Sequence, residues 1–218
     1  MENRTDIIEA GGPTDGRLLR GARSRRAVLD RAVDDASVNG LEGLSFGRLA
    51  LAAPVTKSGI AGLFGSKERL QLATVERARE IFVAAVVEPA RASTEPGLPR
   101  LWALVTGWLA YSRDRVFDGG CFFRAAAAEL DAAGAGPVRD AVVAAVTTWQ
   151  AYLTHHVRLA IENGELAQET DPDQVVFELR AFLELADDLS VLLGEPRAYV
   201  RAERAARTML RAHGAADL

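Results

Sequence analysis

The side chains best suited to chemistry fall in one short stretch, Thr56-Lys57-Ser58-Gly59. Two hydroxyls and an ammonium beside a glycine suit phosphate oxygens and base edges: Lys57 can donate to guanine or to phosphate, and Ser58 to either. At the start of a helix the unpaired amides would attract phosphate as well. Covalent and metal chemistry are poorly provided for. There is no nucleophile elbow, no phosphate-binding glycine loop and no carboxylate pair that spacing alone can place, so no catalytic residue is assigned. His155 and His156 are neighbours, and on a helix adjacent side chains diverge by about 100°, which keeps them from sharing a metal. Neither metal nor cofactor is expected. Cys121 follows Asp118-Gly119-Gly120 and reads as a small buried hydrophobe in preference to a redox-sensing thiol.

The elements that must position these residues are helices throughout. Val28, Leu29, Ala32, Val33 and Ala36 lie at helical spacing from Arg23 onward, and Asn39-Gly40 supplies a left-handed stop. Ser45 caps a short second helix that holds Phe46, Leu49 and Ala50 and ends before Pro54. Thr56 caps a third helix to about Leu63. Ser66 opens a fourth, Lys67 to about Val87, which Pro89 and the Ser93–Pro99 stretch end. Further helical faces are traced by Leu101–Ser112, Phe122–Leu130, Val138–Val157, Val175–Leu193 and Arg197–Arg211. The sum is an all-α chain of about nine helices without a strand. Its expected divisions are a disordered arm over 1–16, a helix-turn-helix unit over 17–66 and a helical bundle over 67–218.

Two short helices joined by a tight turn let the second enter a major groove while the first braces it. The stretch Thr56-Lys-Ser-Gly-Ile60, followed by Phe64-Gly-Ser-Lys-Glu-Arg-Leu70, resembles the recognition helix and the start of the fourth helix in the TetR family of regulators, and the likeness extends over Ser24–Leu72. The resemblance implies a homodimer of all-helical subunits, a variable ligand-binding C-terminal domain, and an inducer that lowers affinity for a palindromic operator. It also places Lys67 on a DNA phosphate. With it, the expected DNA-binding residues are Arg25, Arg26, Ser45, Arg48, Thr56, Lys57, Ser58, Gly59 and Lys67. Three positions depart from the family pattern: Ala61 replaces an aromatic residue that touches phosphate, Leu63 a polar one, and Pro54 a turn glycine. The phosphate contacts then fall more heavily on arginines such as Arg23 and Arg48. The departures also leave open an alternative, a helical ligand- or protein-binding module with little affinity for DNA.

Composition fits an expected split between reading and sensing. Over residues 17–80 there are 12 Lys plus Arg against 7 Asp plus Glu, a net of +5, whereas the whole chain of 218 residues carries -4, which leaves -9 elsewhere. Only two of the 26 basic residues are lysines, and both, Lys57 and Lys67, fall in the motif. No apolar run approaches the roughly 20 residues needed to cross a bilayer, and no signal core opens the sequence, so a cytoplasmic protein is expected. In the bundle, Trp108, Phe122, Trp149 and Tyr152 are the candidates to line a pocket for a small apolar or amphipathic ligand. The helices Asp171–Gly194 and Arg197–Arg211 are the expected dimer face.

Overall fold

The described residues form ten α-helical segments: α1 (Pro13–Asn39), α2 (Phe46–Ala52), α3 (Lys57–Phe64), α4 (Lys67–Phe82), α5 (Glu88–Ser93), α6 (Leu98–Arg113), α7 (Phe122–Leu130), α8 (Pro137–Glu162), α9 (Pro172–Leu193) and α10 (Ala198–Ala212). A computed structural model describes residues 13–132 and 134–216, with side chains from Leu19 onward. A π-helical turn, Val83–Val87, fuses α4 and α5 into one rod. The described residues therefore make nine helical rods, as expected, and contain no strand. None of these helices is long and apolar enough to cross a membrane.

Local capping explains where several of them begin. Ser45, Thr56 and Ser66 accept from the amides of Arg48, Gly59 and Arg69 at 3.2, 3.1 and 3.2 Å, and Asp171 from those of Asp173 and Gln174 at 3.0 and 3.4 Å. Such caps are each worth about 1 kcal/mol. At the other end of α1, Gly40 takes φ 77°, the left-handed conformation expected to stop the helix.

Two boundaries differ from the sequence reading. Residues 1–12 of the expected arm lie outside the described residues, but 13–16 are helical, and α1 starts ten residues before Arg23. Pro13 occupies its first position, where a missing N–H costs nothing. The fourth helix likewise runs past Pro89. In the π turn the Glu88 amide reaches back five residues to the Val83 carbonyl, and this shift of register accommodates a proline that a regular helix interior would not.

Val28, Leu29, Ala32, Val33 and Ala36 are buried along α1, which packs on α2, α3, α4 and α7. The buried cluster is continuous from Val28 to Ala215, so the N-terminal helices and the bundle share one core. Two polar links reinforce the junction. The loop after α6 touches α1, with the Asp118 amide donating to Asp34 Oδ1 and the Gly119 amide to Ser37 Oγ, both at 3.0 Å. From α7, the Glu129 carboxylate accepts the amides of Leu41 and Glu42 at 2.7 and 2.8 Å.

The start of α6 has no cap of its own. Instead the Leu98 amide donates to Glu165 Oε2 at 2.9 Å, and the Gly97 amide points at His156 Nδ1 at 3.4 Å. His156 is 3% exposed, and burial, assisted by the nearby positive charges of His155 and Arg100, lowers its pKa to about 4. The folded state thus holds a neutral ring, while the unfolded chain takes up a proton near pH 6.5. Stability from this group is complete above about pH 6.5 and is lost as pH falls toward 4. The thermal midpoint is expected to drop across that window, and His156→Gln to flatten the slope. Identical slopes in the two proteins would remove His156 as the cause.

Candidate nucleic-acid interface and ligand cavity

The helix-turn-helix is built on a few apolar anchors. Leu49 of α2 and Ile60 and Phe64 of α3 are buried, and the Arg25 guanidinium lies 5.1 Å above the Phe64 ring. Because these side chains take the inner faces, Thr56, Lys57 and Ser58 are exposed at the start of α3, with Gly59 half-buried beside them. The Thr56 hydroxyl already receives the Gly59 amide and lies 3.2 Å from Ser58 Oγ. Lys57 therefore projects from a helix end whose geometry is fixed by its own cap. Ser45, Arg25 and Arg26 are exposed as well.

Two of the expected phosphate ligands have acidic partners within the chain. Arg48 Nη2 lies 2.5 Å from Asp35 Oδ1. Lys67 Nζ donates to the Glu42 carbonyl at 2.6 Å and to Glu42 Oε2 at 3.0 Å. The Lys67 hydrogen bond, followed by that of Gln71, holds the Glu42 carboxyl below its usual range. Glu42 and Glu129 are residues that sequence reasoning missed. Their roles come from contacts 25 and 88 residues away, for which no local pattern exists. Of the positions that depart from the family pattern, Ala61 and Leu63 are half-buried and Pro54 is exposed in the turn.

A cavity of about 340 Å³ lies in the bundle, between α4, α6, α7, α8 and α9. Phe82, Trp108, Phe123, Trp149 and Leu183 supply its apolar wall. Phe82 stands edge-on to Trp149 at 5.0 Å and to Phe123 at 6.3 Å, arrangements that fix the rings. Of the four aromatic candidates, Trp108 and Trp149 line the space. Phe122 lies behind it, 1% exposed and packed against Phe117 and Phe123, while Tyr152 stacks edge-on against His156 away from the lining. Cys121 also faces the cavity. Burial pushes its thiol up to about 12, so it forms an unreactive wall at neutral pH.

Charged groups occupy the same lining: Arg79, Arg124 and Arg180, with Asp131, Glu184 and Asp188. Sequence reasoning passed over them all. A signal was present for Arg180, which falls four residues after Val176 and three before Leu183 on an otherwise apolar helical stripe.

Comparison with known proteins agrees with this architecture. Residues 97–206 match a family model described as the tetracyclin repressor-like C-terminal domain. Among solved structures, a TetR transcriptional regulator from Chloroflexus aurantiacus superposes with TM-score 0.77 at 25% identity, over 88% of this chain and 96% of that one. A TetR-family regulator from Cytophaga hutchinsonii gives 0.76 at 18%, over 89% and 96%. AibR, solved in complex with isovaleryl coenzyme A and operator DNA, gives 0.65 at 19%, over 86% and 96%. No curated protein sequence matches the chain.

Proposed function

The chain belongs to the TetR family of transcriptional regulators, and on that premise we propose that it is a repressor that binds palindromic operator DNA as a homodimer and is released by a small-molecule inducer. The observation that carries this reading is the exposed Thr56–Ser58 end of α3, held by its cap on a helix-turn-helix whose α4 continues into the wall of an aromatic cavity. In this division of labour residues 17–66 read DNA and residues 67–218 sense and dimerise. Thr56, Lys57, Ser58 and Gly59 meet the major groove. Ser45, Arg25, Arg26, Arg48 and Lys67 hold phosphates, Lys67 by exchanging the exposed Glu42 for DNA at little cost and Arg48 by leaving a half-buried Asp35 to which Asn39 still donates. AibR, solved with both an acyl-coenzyme A and its operator, gives a precedent within the fold for one chain that engages both kinds of partner.

Dimerisation is assigned to α9 and α10. Phe177, Leu185, Leu192 and Val200 on these helices are 69%, 56%, 81% and 59% exposed, an apolar surface that a second copy would cover. Induction follows from what surrounds the cavity. Arg79 and Phe82 belong to α4, and Phe123, Arg124 and Ala127 to α7. Further along α7, Glu129 grips the Leu41 and Glu42 amides, and Glu42 grips Lys67 at the start of α4. A ligand that fits one arrangement of α4 and α7 better than another shifts the helix-turn-helix by that difference in affinity.

The test is titration of the purified protein with DNA from upstream of its own gene at two salt concentrations. A specific, salt-dependent complex is expected. Lys57→Ala removes one cation from each half of the dimer and should weaken the complex roughly tenfold or more and lower the salt slope by about two. No specific complex with that DNA, or with any sequence from a random-site selection, refutes the repressor reading and favours the ligand-binding module that Ala61 and Leu63 motivate.

A further inference from the structure

We propose that the cavity takes a small amphipathic anion, an apolar planar body that ends in a carboxylate or comparable acid; this rests on the reading of the cavity as the effector site. Three arginines from three helices converge there: Arg79 of α4, Arg124 of α7 and Arg180 of α9. Each is held by an acid of the chain. Arg79 binds Glu76 through Nε and Nη2 at 2.9 and 2.6 Å, Arg180 Nη2 meets Glu184 at 2.5 Å, and Arg124 Nη2 pairs with Asp188.

The lining also holds Asp131, whose Oδ1 accepts the Ala132 amide, so three cations face three carboxylates and charge alone selects no sign. Solvent access does. Arg180 is 27% exposed against 42% for Glu184, and Arg124 is 32% against 38% for Asp188. In the Arg180 pair the carboxylate is the more open member and can swing into water, while Arg124 and Asp188 are about equally open. A ligand cation would have to displace Arg180, the less exposed member of its pair, from the wall. A guanidinium carries five N–H donors, so the single nitrogen named in each of these two pairs leaves others for a ligand acid. Replacing one partly exposed carboxylate by another costs little. The ligand gains the contact of its body with Trp108, Trp149, Phe82 and Phe123. At roughly 30 Å³ per water, the 340 Å³ space corresponds to about eleven waters, enough for a body the size of two fused aromatic rings. Because Arg79 belongs to α4, an acid shared between it and Arg124 would also tie the DNA-side rod to α7.

The probes are 2-naphthoate, its neutral amide 2-naphthamide, and 2-naphthylmethylammonium, each titrated into the full-length protein without DNA and read by tryptophan quenching. 2-Naphthoate is expected to bind at least tenfold more tightly than either of the others. Arg124→Gln and Arg180→Gln should each reduce that preference severalfold, with a far-ultraviolet circular dichroism spectrum and thermal midpoint like the parent's reporting intact folding. Equal binding of acid and amide, preference for the ammonium, no binding of the acid, or a preference that survives both substitutions would each overturn the proposal. The operator titration stands apart from this assay. A protein that binds and releases operator but shows no acid preference keeps the repressor reading and loses this one; the reverse result does the opposite.

Discussion

Asp187→Ala is expected to lower stability by about 3–5 kcal/mol, because two or more buried hydrogen bonds lose their acceptor at once. Asp187 is 2% exposed on α9. Its Oδ1 accepts the Ser112 hydroxyl from α6 and, at 3.1 Å, the Cys121 amide at the start of α7. Ser112 Oγ lies in turn 2.9 Å from the Tyr199 hydroxyl of α10. One carboxylate thus fastens four helices, and alanine would leave the buried Cys121 amide without its acceptor and Ser112 with Tyr199 alone. For a chain of this size the loss corresponds to a fall in Tm of roughly 10 °C. Urea unfolding with an unchanged m-value checks the free energy, and Asp187→Asn, which keeps an acceptor, should lose less than half as much. A loss under about 1 kcal/mol for alanine would show that the network can rearrange around the gap.

The second large effect is expected at Gly119. A Cβ there would overlap the backbone carbonyl of Ser37, with the Val38 nitrogen a further 2.9 Å contact. Backbone cannot rotate aside as a flexible side chain can. Gly119→Ala must therefore push the loop after α6 away from α1, and with it go the hydrogen bonds to Ser37 Oγ and Asp34. Overpacking and the lost bonds together come to about 2–4 kcal/mol. Gly62→Ala is the control, since nothing lies within 4 Å of a Cβ at that position of α3. Its effect on stability should be neutral or favourable by about 0.5–1 kcal/mol. The contrast is measured by chemical denaturation of both variants. A Gly119→Ala protein as stable as the parent would mean that the loop and α1 separate without cost.

What the sequence made legible is what neighbouring residues decide. Ser45, Thr56, Ser66 and Asp171 could be named as helix starts because the amides they cap lie two or three positions on. The start of α6 was not legible in this way, since Glu165 and His156 reach it from 67 and 59 residues away. Pro89 was read as a stop because a π turn leaves no distinct pattern among Val83, Ala84, Ala85, Val86 and Val87. The cavity shows the same limit. Trp108, Phe122, Trp149 and Tyr152 are alike in type and helical spacing. Only the placement of α4 and α9 around them determines that the two tryptophans face open space while Phe122 is enclosed by Phe117 and Phe123. Asp187 is a carboxylate four residues after Leu183 on a buried stripe, a local signal, but its partners Ser112 and Cys121 lie 75 and 66 residues away and have no local pattern.

Lys57 is exposed at the tip of α3, and Lys67 is clasped by Glu42. With every other basic side chain an arginine, these two are the only side-chain amines the protein offers to acylating chemistry. Acetyl transfer, whether from a reagent or an acyl donor in a cell, therefore has no lysine to modify beyond the first residue of α4. It would discharge the exposed tip of α3, cut the tie to Glu42, and leave the aromatic cavity as it was.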